Sequence, residues 1–214
     1  MELYQKLQTR IFKYLCTKQT NMLHLKLETD PRWATIVASN IEEILTDHAW
    51  CEQKAATNAI TIITLNPEYP ELVTDLLALA KEELEHFEMV HNIIKKRGYT
   101  LGRERKDSYV NELYKFMNKG GSRLQSMVDR LLFSAMIEAR SCERFKLLSK
   151  QINDEELSKF YYDLMVSEAG HYTTFITFAR NYGKDIDVDI RWKELVEFEG
   201  NLIKSYGTHE SIHG

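Results

Sequence analysis

The sequence predicts an all-α fold, a four-helix bundle with additional short terminal helices. Two observations predict it. Apolar residues recur with the helical period over four long segments, and proline or capping glycine stands at the segment ends. The 214 residues include only three prolines and nine glycines, so little of the chain is left for loops. No stretch alternates as a strand would. At this length a single domain spanning residues 1–214 is expected.

The first two predicted core helices cover about residues 31–65 and 70–97. Pro67 and Pro70 separate them, because a helix interior does not accept proline. Pro70 itself suits the first turn of the second helix. Basic residues followed by Gly98 are typical of a helix C-terminus and end this helix.

The third and fourth core helices are predicted over about residues 122–150 and 154–182. Asn153, with Glu156 three residues later, resembles a capping box that opens the fourth helix, and Gly183 ends it. Shorter helices are expected over residues 3–18, 108–118 and 192–205.

The two halves of the predicted bundle repeat each other in spacing. Each half carries a glutamate on its first helix and Glu-x-x-His on its second. The two glutamates stand 31 residues apart in the first half and 30 in the second, and a further 15 residues lead to a capping glycine in both. The spacing indicates an internal duplication of one hairpin. The repeated positions are Glu52, Glu83, His86, Glu138, Glu168 and His171.

These residue types at this spacing predict a pair of metal ions. Glu-x-x-His places an oxygen and a nitrogen on one helix face, about 5–6 Å apart at Cβ. Two such helices plus one glutamate from each of the others form the ferritin-like di-iron or di-manganese pattern. Carboxylates buried unpaired are costly, and two divalent ions would cancel their charge. We expect two iron ions, with manganese as the less favoured alternative; carboxylate and imidazole donors suit either metal, and the absence of thiolates argues against a structural zinc site.

Glu-x-x-His alone is a weak signal, since the chain contains it twice more. Glu88 and His91 form one further copy, about 140° around the helix from Glu83, so both copies cannot face one core. The copy at Glu210 and His213 lies in a polar tail without a partner helix.

Residues beside the predicted ligands admit two interpretations each. Cys142, one turn after Glu138, lines a dioxygen pocket or simply packs in the core. His48, one turn before Glu52, lies near the site or serves the core or the surface. A ligating histidine usually donates its second ring nitrogen to a carboxylate or carbonyl. The candidates for that acceptor, each otherwise a surface charge, are Asp47, Glu82 and Asp163.

Composition excludes several classes of protein. Three cysteines without a CxxC pair suit a reducing compartment and argue against a disulfide scaffold. No secretory signal is visible at the start, and the apolar stretches are too short to span a membrane. A cytoplasmic protein without a membrane partner is therefore expected.

The net charge of −4 is unevenly distributed. Residues 95–123 hold nine basic residues against three acidic ones, a net +6 that leaves −10 for the rest of the chain. This basic segment is either a phosphate-binding surface or a solvated surface of mixed charge. The candidate phosphate contacts are Lys95, Lys96, Arg97, Arg103, Arg105 and Lys106.

Four blocks of sequence resemble the tRNA hydroxylase family called MiaE. They are residues 47–56 (DHAWCEQKAA), 82–88 (EELEHFE), 137–145 (IEARSCERF) and 167–172 (SEAGHY). The similarity extends over about residues 25–206, and all six metal positions of the family pattern are present.

The resemblance implies a non-haem di-iron monooxygenase. Such an enzyme hydroxylates the isopentenyl group of 2-methylthio-N6-isopentenyladenosine, next to the tRNA anticodon. It implies dioxygen as co-substrate, hydrogen abstraction from an allylic methyl carbon and hydroxyl rebound. An external electron-transfer partner is also implied, since the chain has no flavin or iron–sulfur motif. The basic segment would then hold tRNA phosphates. A monomer or small homo-oligomer is expected.

Other functions share this ligand pattern. A ferritin-like iron store or another di-iron oxidase with a different substrate would use the same six residues. A rubrerythrin-like peroxidase carries a four-cysteine iron domain, which this sequence lacks, and a ribonucleotide reductase radical subunit needs a tyrosine beside the metals. The eleven tyrosines leave that last possibility open on composition. The non-enzymatic alternative is a metal-free helical interaction module.

Overall fold

The computed structural model describes residues 22–117, 120–205 and 212. Within these ranges the chain is helical and contains no strand, which confirms the predicted all-α class. No helix in this described part is long and apolar enough to cross a membrane. The helix predicted over residues 3–18 lies outside the described residues. The helices are α1 (Arg32–Ala38), α2 (Ile41–Leu65), α3 (Pro70–Lys96), α4 (Ser108–Leu113), α5 (Arg123–Gln151), α6 (Glu155–Tyr182) and α7 (Val188–Leu202).

The four long helices form two hairpins, as the internal repeat predicts. Helix α2 packs along α3, and α5 packs along α6. Ser122 caps α5 by accepting a hydrogen bond from the Gln125 amide, and Gly98 ends the α3 region in the left-handed conformation, at φ 73°. Three short 3₁₀ turns accompany the helices, over Met22–His24, Tyr114–Phe116 and Ile203–Ser205.

The single first helix predicted over residues 31–65 is wrong, because the structure divides it into α1 and α2. The break falls at Ser39 and Asn40, where Asn40 leaves the helical region with φ −144° and ψ 66°. The Ser39 hydroxyl donates to the Ile36 carbonyl at 2.6 Å. Serine and asparagine compete for backbone groups in this way, so they end helices that an apolar period alone would continue.

The cap of α6 also differs from its prediction. Asp154, not Asn153, is the N-cap, and its carboxylate accepts from the Leu157 amide at 3.0 Å. The same carboxylate pairs with Arg97, where Nη1 and Oδ2 are 2.7 Å apart. The ionised Asp154 side chain caps α6 and also pairs with the end of α3, so it stabilises the start of α6 more than the neutral Asn153 side chain would.

The interior of the bundle is layered along its axis. One apolar cluster includes Ile62, Leu76 and Leu132, and a second includes Leu45 and Phe145. On every long helix the predicted ligand positions lie where residues of one cluster give way to residues of the other. The fold therefore places a belt of polar side chains between two apolar cores.

A buried ionic network attaches the chain ends to α5. Arg140 contacts Glu199 of α7 and the Leu27 carbonyl of the N-terminal segment, at 2.7 and 3.0 Å. Tyr109 of α4 donates to the same Glu199 carboxylate at 3.0 Å. Because Arg140 lies two residues after Glu138, this network fixes the helix turn that carries a predicted metal ligand.

Candidate metal centre

The six predicted ligands meet in the polar belt, and each is at most 6 % exposed. Each long helix supplies at least one of them, and the two Glu-x-x-His helices, α3 and α6, supply two each. The helical period explains this convergence, since residues three apart share one face. The converging side chains are Glu52, Glu83, His86, Glu138, Glu168 and His171.

Four of these side chains surround one point between α2 and α3. Ligand atoms of Glu52, Glu83, His86 and Glu168 all lie within 4.8 Å of one another. His86 Nδ1 is 3.3 Å from Glu83 Oε2 and 3.6 Å from Glu52 Oε2. Three carboxylates and one imidazole suit a divalent ion of the iron or manganese type.

A second point lies between α5 and α6. Glu83, Glu138, Glu168 and His171 form it, again with ligand atoms within 4.8 Å of one another. His171 Nδ1 is 3.0 Å from Glu83 Oε1 and 3.3 Å from Glu168 Oε2. Since Glu83 and Glu168 belong to both groups, each can bridge two ions, and the donor set matches a di-metal site.

The charges of the cluster fit divalent cations. Burial, followed by repulsion from Glu168 and Glu83, raises the pKa of Glu138 well above its ordinary value. Burial also raises the pKa of Glu83 to about 7. Burial opposes the charged form of His86, but hydrogen bonds to Glu52 and Glu83 raise its pKa to about 11. Without metal the cluster must retain protons, and two cations would supply the missing positive charge.

An unsatisfied atom points to the same conclusion. Among the described residues, Glu168 Oε1 is fully buried without a hydrogen-bond partner, and the nearest ring nitrogen to it, His86 Nδ1, is 3.8 Å away. A buried carboxylate oxygen without a donor is costly, so native sites rarely retain one without an ion or water. The residues present therefore fit a pair of metal ions.

His48 contacts the site more closely than the sequence indicates. It is fully buried, and its Nε2 lies 2.5 Å from Glu52 Oε1. Phe145 and Tyr161 pack against the ring, at centroid distances of 4.9 and 5.6 Å. The spacing of four residues from Glu52 was the available signal, but a histidine on a helix face occurs equally often for packing.

The three candidates for orienting a ligating histidine have different environments. Glu82 Oε2 lies 3.5 Å from His171 Nε2, and the Ser167 hydroxyl holds the other Glu82 oxygen at 2.6 Å. Asp47 instead accepts from the Ile212 amide at 2.6 Å, and Asp163 pairs with Lys159 at 2.5 Å on the surface. Only Glu82 is placed beside a ligating histidine.

A small cavity of about 20 Å³ adjoins the carboxylates, with room for one water-sized molecule. Its wall includes Cys51 rather than Cys142, whose thiol donates to the Met165 carbonyl at 3.2 Å. The buried residue Ile212, two positions before the end of the sequence, lines one side. The lining residues are Cys51, Glu52, Ala55, Ile137, Glu138, Ser141, Phe145, Glu168 and Ile212.

The basic segment divides into paired and exposed residues. Lys96 and Arg97 form ion pairs with acidic residues at the start of α6, and Arg105 pairs with Glu43 at 3.0 Å. The other three candidate phosphate contacts project into solvent; they are Lys95, Arg103 and Lys106.

The loop that follows α3 runs beside α2. Trp50 donates from its indole nitrogen to the Gly102 carbonyl at 3.0 Å, and the Lys54 amine donates to the Arg105 carbonyl at 3.3 Å. These contacts fall on both sides of Glu52 in the sequence. The basic loop is thereby held along the helix that supplies this ligand.

The alternative Glu-x-x-His copy that lies within the described residues does not join the cluster. His91 stacks on Phe87 with centroids 6.2 Å apart, and Glu88 is exposed. Glu210 and His213 lie outside the described residues.

Several known proteins are similar to this chain in fold or in sequence. A protein of Synechococcus, named "Protein 43 with aldehyde deformylating oxygenase activity", superposes with a TM-score of 0.82 at 33 % identity, covering 89 % of this chain and 95 % of that one. The tRNA 2-(methylsulfanyl)-N(6)-isopentenyladenosine(37) hydroxylase of Pseudomonas putida is 38 % identical over 178 residues, which are 83 % of this chain and 85 % of that protein.

The hydroxylase of the same name from Salmonella typhimurium is 32 % identical over 142 residues, which are 66 % of this chain and 51 % of that protein. The family described as tRNA-(MS[2]IO[6]A)-hydroxylase (MiaE) matches residues 16–214. A match over nearly the whole sequence, together with these relatives, confirms the predicted resemblance. This chain belongs to the MiaE family of tRNA hydroxylases.

Proposed function

We propose that this protein is an oxygen-dependent di-iron monooxygenase. Its substrate would be 2-methylthio-N6-isopentenyladenosine beside the tRNA anticodon, and it would hydroxylate the isopentenyl group. The observation that carries the proposal is the buried cluster of four glutamates and two histidines in a chain of the MiaE family. A tRNA substrate also supports the predicted cytoplasmic location.

The overall reaction requires electrons from outside the chain. One oxygen atom of dioxygen enters the C–H bond and the other leaves as water, which consumes two electrons and two protons. A bound iron pair would supply the activation of dioxygen that side chains alone cannot perform. The predicted external electron-transfer partner would deliver the two electrons.

The chain's own residues would hold and shield the iron pair. Glu83 and Glu168, which belong to both ligand groups, would contribute to holding both ions, and His86 and His171 would each contribute to holding one. The apolar cores above and below the belt exclude water from the reacting centre. The small cavity beside Glu52 and Glu138 is of a size for dioxygen, and it lies on the cluster itself.

The basic loop would bind the tRNA backbone. Exposed Lys95 at the end of α3 and exposed Arg103 and Lys106 of the loop can contact phosphates, while the loop's own contacts with Trp50 and Lys54 keep it close to the helix of Glu52. Sequence-specific RNA recognition usually reads bases that are splayed out of the stack. Phosphates held here would leave a splayed base near the metal centre.

Nucleoside analysis tests the proposed activity. Iron-loaded, chemically reduced protein is incubated with dioxygen and tRNA carrying the isopentenyl nucleoside, and the digested nucleosides are separated by mass. We expect a product heavier by one oxygen atom, labelled when ¹⁸O₂ is supplied. Glu83→Gln should abolish it, and Glu85→Gln, an exposed residue on the same helix, should not.

Two further outcomes would redirect the assignment. Conversion of a long-chain aldehyde without change in tRNA would indicate the activity named for the Synechococcus neighbour. Iron oxidation with assembly of a large hollow cage, measured by light scattering, would indicate iron storage.

A further inference from the structure

The internal repeat allows the two halves of the metal centre to be compared position by position. Glu52 corresponds to Glu138, and His86 corresponds to His171. We call the group around Glu52 and His86 the Glu52 site and the group around Glu138 and His171 the Glu138 site. The bridging glutamates are common to both sites. Any difference between the sites must therefore come from the residues behind the ligands.

The residue one turn before the non-bridging glutamate differs between the halves. In the first half it is His48, whose Nε2 lies 2.5 Å from Glu52 Oε1. In the second half it is Ser134, whose hydroxyl donates to the Arg130 carbonyl at 2.9 Å and accepts from the Asn58 amide at 2.8 Å. Both hydrogen bonds of the Ser134 hydroxyl are therefore made with residues other than Glu138.

The His48 contact reduces what Glu52 can offer to a metal. An oxygen that already accepts a short hydrogen bond is a weaker donor to a cation. His48 Nδ1 is buried without a hydrogen-bond partner among the described residues, and aromatic rings surround the imidazole. Because a carboxylate oxygen is an acceptor, Nε2 is the ring nitrogen that donates to Glu52.

The residue before each bridging glutamate also differs between the halves. In the first half it is Glu82, which lies 3.5 Å from His171 across the bundle. In the second half the corresponding residue is Ser167, which is uncharged and donates to Glu82 at 2.6 Å. A carboxylate behind a ligating imidazole increases its basicity and its affinity for metal.

We propose that the two metal sites are inequivalent and that the Glu138 site binds its ion more tightly than the Glu52 site. The two departures from the repeat act in the same direction, since His48 weakens a ligand of the Glu52 site and Glu82 strengthens a ligand of the Glu138 site. This inference rests on the metal centre of the proposed function. It does not depend on the identity of the organic substrate.

Titration of metal-free protein with Co²⁺, without dioxygen or tRNA, tests the proposal. Calorimetry and the visible absorption of Co²⁺ should resolve two steps whose affinities differ by about tenfold or more. In Glu52→Gln the tight step should persist and the weak step should disappear. In Glu138→Gln the tight step should disappear.

Variants that restore the repeat provide the sharper measurement. Glu82→Ser should weaken the tight step by about tenfold, as the loss of a ligand's hydrogen-bond partner typically does. His48→Phe, which keeps a ring of similar size, should strengthen the weak step, and His48→Gln should keep the wild-type affinities. The double variant Glu82→Ser with His48→Phe should bring the two affinities together. Ser134→Ala is the matched control and should change neither step.

Several results would overturn the proposal. They are equal affinities in the wild type, loss of the tight step in Glu52→Gln, or unchanged affinities in the double variant. Far-UV circular dichroism of each metal-free variant separates these outcomes from misfolding. The nucleoside assay is independent, so two unequal sites without hydroxylation would reject the proposed substrate alone.

Discussion

Arg140 Nη2 lies 2.7 Å from Glu199 Oε1, and neither side chain has any exposed surface. This ion pair joins α5, the helix of Glu138, to the C-terminal helix α7. Arg140 also contacts Glu143 at 3.1 Å, so it makes ionic contacts with two carboxylates. The pair connects a peripheral helix to the interior beside the metal centre.

Replacing Glu199 by alanine should destabilise the protein by about 3 kcal/mol, because it leaves buried positive charge undercompensated. Glu197 lies two residues before Glu199 and forms an exposed ion pair with Lys26. Glu197→Ala removes that pair and should lower the free energy of unfolding by only about 0–1 kcal/mol. Urea unfolding at equilibrium measures both values. Equal losses in the two variants would contradict the role assigned to the buried pair.

Glu138→Gln should lower the iron content below the two ions per chain expected for the wild type. The amide keeps the size of the side chain but removes its negative charge, and Glu138 belongs to only one of the two ligand groups. Elemental analysis after anaerobic loading and desalting measures the ratio. Glu143→Gln is unsuitable as a control because Glu143 is part of the buried network, whereas exposed Glu155 is suitable. Retention of both ions in Glu138→Gln would remove this residue from the site.

Removing the metal should lower the melting temperature. An ion that binds only the folded chain contributes about 2.7 kcal/mol at a free concentration one hundred times its Kd. Thermal melts with and without a chelator, followed by restoration of Fe²⁺ under anaerobic conditions, measure the effect. In Glu83→Gln, which alters a bridging ligand, the shift should be largely abolished. An unshifted wild-type melt at saturating metal would argue against a structural contribution.

Reversing three exposed charges of the basic segment should weaken tRNA binding without altering metal content. The variant Lys95→Glu, Arg103→Glu, Lys106→Glu leaves the ion pairs of Lys96, Arg97 and Arg105 in place. Fewer phosphate contacts should also flatten the dependence of log K on log salt, by about 0.7–0.9 for each phosphate that is no longer neutralised.

The control for charge alone reverses three exposed lysines elsewhere, Lys159, Lys184 and Lys193. Filter binding at several salt concentrations compares the two triple variants. Equal weakening in both would mean that net charge, and not this segment, governs binding.

Ile212→Ala should open the small cavity beside the metal ligands. Ile212 is fully buried, and Asp47 and Arg144 hold its backbone at 2.6 and 2.5 Å. Faster removal of bound Fe²⁺ by a chelator is expected, with Ile190→Ala, on an exposed residue of α7, as the control. Unchanged removal rates would mean that ions leave by another route.

Periodicity explains how much of this architecture can be predicted. Within each Glu-x-x-His helix the two ligands lie three residues apart, so local sequence determines that they share one face. The duplication then distinguishes Glu83 from the nearby Glu88 copy. The four long helices follow from the same signals, with proline and glycine at their ends.

The features that sequence could not predict depend on contacts between distant segments. The burial of Arg140 against Glu199 joins residues 59 positions apart. Ile212 reaches the cavity from the end of the chain, and no local pattern indicates it. The break at Asn40 and the His48 contact are local, yet their alternatives differ little in energy, and tertiary packing decides between them.

The belt between the two apolar cores has a consequence for how ions enter. Both ends of the bundle are close-packed hydrocarbon, whereas the middle consists of carboxylates and imidazoles that must share protons when no metal is bound. Amide hydrogen exchange in the metal-free chain should therefore be fastest near the belt and slow on either side of it. If so, the part of the metal-free bundle that opens most readily is also the part that an incoming ion must reach, and metal binding would close it.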